Sequence, residues 1–171
     1  MARKRFMNLG IFTIIALVIG LVFILLVIGS LRMVEDWSRD LTTNWAATHP
    51  DHSDTRLRPY ECPGTPQQLA DRLQQNVNTM PRWKWIAERR EGEEIVVELT
   101  RSTPLFRFVD DVRVRIEPIA GAARAGEEQA KEPARVRLVA ESRSRVGRGD
   151  LGQNPRNLRE LLDSLRADPS H

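Results

Sequence analysis

The sequence predicts an α+β protein: an N-terminal transmembrane helix followed by a small antiparallel sheet domain, ordered strand, helix, four strands, helix, with both helices on one face. Three observations predict it. Residues 6–31 carry no charge, and 9–28 are almost entirely apolar. Four later runs, 83–89, 94–100, 106–117 and 135–146, are rich in β-formers, the last two alternating apolar with polar residues. Two stripes at helical spacing flank those runs: Leu69, Leu73 and Val77 before them, and Leu158, Leu161, Leu162 and Leu165 after them. A length of 171 residues allows one domain with an appendage and leaves no room for two enzyme domains.

At helix rise the uncharged run reaches ~39 Å, more than the hydrocarbon core of a bilayer requires. A cleaved signal peptide would have a shorter apolar centre, so the run reads as an uncleaved anchor. Arg3, Lys4 and Arg5 precede it, whereas Arg32 and Arg39 beyond it are diluted by Glu35, Asp36 and Asp40. The positive-inside rule then keeps the N-terminus in the cytoplasm and, in a bacterium, puts the rest in the periplasm. The organisation expected is residues 1–32 as N-terminus and anchor, 33–56 as stalk and linker, and 57–171 as the periplasmic domain. Within the span Ala16 and Gly20 form a small-xxx-small pair that would let another helix approach.

The net charge of +3 comes from the anchor region, because four of the 26 cations, Arg3, Lys4, Arg5 and Arg32, precede every acid. The remainder is nearly neutral, which argues against a nucleic-acid partner. The single cysteine, Cys62, has no internal disulfide partner and reads as a small core residue.

Beyond the anchor, Met33, Trp37, Leu41 and Trp45 recur every four residues. That spacing predicts a stalk helix running to Pro50, with Trp37 at headgroup depth and Trp45 about 12 Å further along. Trp37, Leu41 and Trp45, with Ala16 and Gly20, are the candidate partner-binding residues. His49, His52, Asp51 and Asp54 fall within six positions, but a polar linker containing Pro50 produces such a cluster readily, and no metal is assigned.

In the domain, residues 57–62 read as a short strand. Thr65-Pro66-Gln67-Gln68 supplies a capping hydroxyl, a proline at the first helical position and a glutamine three residues after the cap. Residues 83–89 and 94–100 form a hairpin around Glu91-Gly92-Glu93. In 106–117 the inward set is Phe106, Phe108, Val112, Val114 and Ile116; in 135–146 it is Val136, Leu138, Ala140, Ser142, Ser144 and Val146. The stretch between, 119–134, has no period and reads as a loop. Asn154-Pro155 starts the terminal helix.

Charge alternation also selects a register. Setting Asp111 opposite Arg143, Arg113 opposite Glu141 and Glu117 opposite Arg137 pairs opposite charges, whereas the alternative sets like against like. The outer face is then a salt-bridged, solvated one. Asp110 shares the parity of the apolar set and so points inward, opposite Ser144, where a buried carboxylate needs donors. Asp110, Ser144 and the turn glycines Gly147, Gly149 and Gly152 are expected to form a structural clamp, with no catalytic role.

Gly147-Arg148-Gly149-Asp150-Leu151-Gly152 fits a dinucleotide fingerprint in letters. No strand follows to complete a βαβ unit, so no nucleotide and no other cofactor is expected. Phe108-Val109-Asp110-Asp111-Val112, followed by Ser144-Arg145-Val146-Gly147, Asp150-Leu151-Gly152 and Asn154, resembles the domain-of-unknown-function 1499 family over about residues 57–166. The resemblance implies a domain found in bacteria and plastids, including the thylakoid lumen, without an established activity. The Cys-Val-Ser-Ser segment of many members is replaced here by residues 44–56.

The function expected is a non-catalytic, single-pass accessory subunit whose periplasmic domain docks on an integral membrane complex. The resemblance to lumenal proteins points toward an energy-transducing or photosynthetic assembly. The alternative is a module holding a lipid or small amphiphile between sheet and helices, near Trp83, Trp85, Phe106 and Phe108.

Overall fold

The computed structural model describes residues 2–31, 42–104, 107–119 and 134–167, with side chains of the first helix described over 14–29. That helix, α1, spans Ala2–Leu31. Its described apolar side chains stand exposed, Leu17 and Phe23 among them. No helix among the described residues is long and apolar enough to cross a membrane. The stretch with described side chains amounts to ~24 Å of helix rise.

Strands β1 (Trp45–Ala47), β2 (Tyr60–Pro63), β3 (Trp83–Glu91), β4 (Glu94–Ser102), β5 (Val109–Pro118) and β6 (Arg135–Ser144) form one antiparallel sheet. It runs β1-β6-β5-β4-β3, and β2 also pairs with β6. Helices α2 (Pro66–Thr79) and α3 (Gln153–Arg166) cover one face. The architecture is α+β with a small antiparallel sheet and three helices.

The stalk helix expected to reach Pro50 does not form there: Trp45–Ala47 is strand, paired with Arg143, Ser142 and Glu141. Trp37 and Leu41 lie outside the described residues. The physical reason is the free edge of β6. Its unpaired peptide groups bond to β1 along one half and to β2 along the other, with Thr48 both donating to and accepting from Ala140 between them. A long-range pairing thus overrides a local four-residue period. The strand expected at 57–62 begins late, since Thr55–Leu57 forms a 3₁₀ turn before β2.

The charge-based register holds in full. Asp111 lies opposite Arg143, Arg113 opposite Glu141, Glu117 opposite Arg137 and Asp110 opposite Ser144. Its apolar parity follows: Val112, Val114 and Ile116 on β5 face the same side as Val136, Leu138 and Ala140 on β6, and all are buried. Phe108 and Val146, expected in that inward set, are instead 52% and 67% exposed. Pairing ends at Asp110 and Ser144 or one step beyond, and Arg107 (φ 53) and Gly147 (φ 97) turn the chain away from the sheet. Phe106 lies outside the described residues, as do residues 120–133 of the loop before β6.

Helix α2 starts as its sequence requires. Thr65 accepts from the Gln68 amide, and the Gln68 side chain accepts from the Thr65 amide, completing a capping box. Leu69, Ala70, Leu73 and Val77 are buried, as are Leu158, Leu161, Leu162 and Leu165 of α3. Cys62 is buried among them, and burial pushes its thiol pKa up, which keeps it protonated and unreactive. Leu161 is 0% exposed at the centre of this cluster. Leu161→Ala is expected to lower unfolding stability by about 2–5 kcal/mol, read by urea denaturation of the full chain; a loss below about 1 kcal/mol would mean that α3 does not seal the core.

Candidate functional site

The inward face of the sheet is apolar in its first rows and polar in its last. Ile95, Ile116 and Leu138 form one row; Trp83, Arg101, Asp110 and Ser144 form another at the opposite end. The first turns of α3 lie over that polar end. Asp110 is 1% exposed and accepts a hydrogen bond from Asn157 Nδ2 at 2.8 Å. The same amide group donates to Ser142 Oγ, and Ser142 Oγ donates to Asn154 Oδ1 at 2.6 Å. Asn154 Nδ2 donates to the Asn44 carbonyl and to Ser144 Oγ.

Asp110 and Ser144 belong to one cluster, but Asp110 takes its donor from Asn157 and not from the glycine-rich turn. That turn satisfies Asp150, whose carboxylate accepts from the Gly152 and Asn154 amides and so caps α3. Helix α3 starts at Gln153 behind a left-handed Gly152 (φ 73), so the cap assigned to Asn154-Pro155 passes to Asp150 and Gly152. Gly147 is also left-handed, with the Gly149 carbonyl 3.3 Å from where a Cβ would stand.

Arg101 is absent from the sequence-derived site, yet its parity with Ile95, Val97 and Leu99 marks it as inward-facing. It is 8% exposed and pairs with Glu160 of α3 at 3.2 Å, while its Nε and Nη1 and the neighbouring Trp83 Nε1 are buried without a hydrogen-bond partner. Asn154 and Asn157 had a signal too: both interrupt the inward stripe of α3. Each buried donor without a partner costs on the order of 1–3 kcal/mol.

Among the described residues nothing covers the opposite face of the sheet. It carries a groove of about 520 Å³ lined by Trp45 and Ile86 at its sides and by Thr100, Arg113, Glu141 and Arg143 along its floor. Trp45 is 52% exposed, and Ile86, the extra residue of a bulge in β3, is 55% exposed. Salt bridges cross this face: Arg145 grips Asp111 through two hydrogen bonds, Arg137 meets Glu117 and Glu61, and Arg115 meets Glu94. Asp111 reaches Arg145 and not its register partner Arg143. Arg113 and Arg143 make no ion pair among the described residues. Ala16 and Gly20 stand on α1 with no atom within 4 Å of a Cβ built on Gly20. Trp45 is thus brought to the domain's open face, away from Asp110 and Ser144 on the covered one.

The linker histidines are used locally. His49 Nδ1 accepts from the Asp51 amide and His52 Nδ1 from the Asp54 amide. Among the described residues no three His, Cys, Asp or Glu side chains converge on a metal-sized site. Asp54 instead ties the linker to α3 by pairing with Arg56 and with Arg159 at 2.8 Å. Partial burial alone would raise its carboxyl pKa; the hydrogen bonds from Arg56 and Arg159 outweigh that and hold it at about 2, below its ordinary 3.8.

Comparison with known proteins places these elements in one family. The family model described as "Protein of unknown function (DUF1499)" matches residues 34–165. The match takes in residues 34–56, assigned from sequence to stalk and linker, in keeping with β1 being part of the sheet. No curated protein and no solved structure matches the chain.

Two outcomes follow from the side-chain contacts. Asn157→Leu leaves the Asp110 carboxylate buried without its donor and is expected to lower stability by about 1–3 kcal/mol in chemical denaturation. The contribution of Asp54 is fully present above pH 3.8 and is lost as pH falls through about 2. Asp54→Asn should therefore flatten the acid limb of a stability–pH curve in that interval and leave the slope above pH 5 unchanged.

Proposed function

The chain belongs to the DUF1499 family, and from that premise we propose that it is a non-catalytic accessory subunit, anchored by α1 in a bacterial cytoplasmic membrane, whose periplasmic domain docks on a larger integral membrane complex. The observation that carries the proposal is the uncharged run of residues 6–31, long enough at ~39 Å to span a bilayer and joined to a family domain beginning at residue 34. The cations Arg3, Lys4 and Arg5 ahead of it set the N-terminus in the cytoplasm. Ala16 and Gly20 offer a neighbouring membrane helix a close approach.

Docking is supported by the uncovered sheet face, where half-exposed Trp45 and Ile86 flank a charged floor. Aromatic and arginine side chains arranged in this way are the groups that anchor protein interfaces. A non-catalytic role is supported by the way Asp110 is used: its carboxylate is sealed under α3 and held by Asn157, out of reach of a substrate. The assembly it joins is, on this reading, an energy-transducing or photosynthetic one.

The second reading, an amphiphile held between sheet and helices, draws less support from the packing. Trp83 is 6% exposed within the core cluster, Phe108 lies outside it, and the 520 Å³ groove is on the other face. For the accessory-subunit reading, the chain is expected to resist carbonate extraction and to migrate in mild detergent with a mass well above its own 19.6 kDa plus a micelle. Trp45→Ala should release it from that larger species while leaving its fold intact. Migration of the wild-type chain only as a free monomer, or a periplasmic reporter at its C-terminus that stays silent, would overturn the proposal.

A further inference from the structure

The sheet has one end at which two kinds of side chain, apolar and basic, collect outside the groove and outside the buried cluster. Phe108, Val146 and Leu151 are 52%, 67% and 42% exposed there, on the β4–β5 and β6–α3 connections. Their proximity is set by the ladder: the Arg145 amide bonds to the Val109 carbonyl, which leaves Phe108 and Val146 as the next step beyond Asp110 and Ser144. Arg82, Arg107 and Arg148 are exposed at the same end, and their side chains enter no hydrogen bond or ion pair among the described residues. The neighbouring acids are already engaged, Asp111 by Arg145 and Asp150 by the amides of Gly152 and Asn154. Among the described residues the three cations are therefore uncompensated.

Two further facts single out this end. Arg82, Arg107 and Leu151 are the non-glycine residues with positive φ among the described residues, at 69°, 53° and 52°, and all three lie here. Strain of this kind persists only where surrounding contacts hold it, and here it turns basic and apolar side chains outward. The chain from α1 also enters here: the Ser144 amide bonds to the Asn44 carbonyl, and the Asn44 side chain donates to the Gly147 carbonyl. Twelve residues separate Leu31 from Asn44, so this end of the sheet is within ~47 Å of chain from the end of α1.

We infer that this end of the domain rests on the membrane that α1 spans, with Phe108, Val146 and Leu151 at the interface and Arg82, Arg107 and Arg148 against anionic phospholipid headgroups. The inference rests on the anchoring proposed above and adds a lipid surface as a second contact. Exposed apolar side chains ringed by free cations match the chemistry of an anionic bilayer surface. A tether that enters at the same end keeps the effective concentration of that surface high.

The test uses the full-length protein carrying Val146→Cys labelled with an environment-sensitive fluorophore, buried Cys62 being protected from the reagent. It is reconstituted into nanodiscs of phosphatidylcholine alone or of equal parts phosphatidylcholine and phosphatidylglycerol. The expected result is a blue-shifted emission, quenched by brominated acyl chains, in the anionic discs and a weaker one in the neutral discs. A label at Glu91→Cys, at the far end of β3, should stay unshifted. Arg82→Gln, Arg107→Gln and Arg148→Gln together should cut the docked fraction, by about fivefold in the docking equilibrium for each charge removed. Added salt should do the same. Matching circular dichroism confirms that these exposed substitutions leave the fold unchanged.

Emission at position 146 that is identical in anionic discs and in neutral detergent, from a chain that resists carbonate extraction, overturns the docking while the anchor stands. A shift that survives the triple substitution overturns the headgroup contact. Extraction by carbonate overturns the anchor and this inference together.

Discussion

The fold depends on one constraint: a five-strand-wide sheet with a leucine face must have that face covered, and among the described residues α2 and α3 cover it. Leu158, Leu161, Leu162 and Leu165 of α3 are sealed against the strands, and Leu69, Leu73 and Val77 of α2 complete the layer. These two helices cover one face, and no described element covers the other. The open face is consequently managed by charge, with arginines and acids interleaved along the strands and joined in exposed salt bridges. Such pairs add little stability; their effect is to keep an uncovered sheet face solvated, so the groove between Trp45 and Ile86 is the exception on that surface.

The cover is also imperfect at one end, and the chemistry of the molecule gathers there. Rows of Ile, Val and Leu give way to Trp83, Arg101, Asp110 and Ser144, and the first turns of α3 answer with Asn154, Asn157 and Glu160. A buried carboxylate and a buried guanidinium are thus held by a helix that is otherwise greasy. Strained residues, exposed cations and exposed apolar side chains lie on the connections just outside this row. Buried polarity and surface polarity at one end have a common cause: pairing stops there, the helix begins there, and the chain enters from α1 there.

Much of this was legible in the order of residues. The capping box of α2, the two leucine stripes, the hairpin at Gly92 and the register of β5 with β6 all follow from local pattern, because one buried face makes a period-two alternation unambiguous. Asp110 as an inward carboxylate followed from the same parity. What was illegible was the identity of its donor, since Asn157 is distant in sequence and reaches Asp110 only after α3 has docked. Trp45 departs from its local pattern for a related reason: a four-residue period from Met33 to Trp45 is a local signal, and the free edge of β6 that captures Trp45–Ala47 is a distant one.

By itself, then, the sequence determined the elements with strong periodicity, the side of the sheet each strand residue faces, the family, and the uncharged run that heads the chain. Those are properties of neighbours a few residues apart. Only the tertiary structure decided which edge β1 fills, that Phe108 and Val146 leave the core, that Glu160 pairs with Arg101, and that Asn154 and Asn157 close over Asp110. Each depends on where a strand's pairing ends or on a contact between residues tens of positions apart, and no local pattern encodes the point at which a long-range hydrogen bond wins.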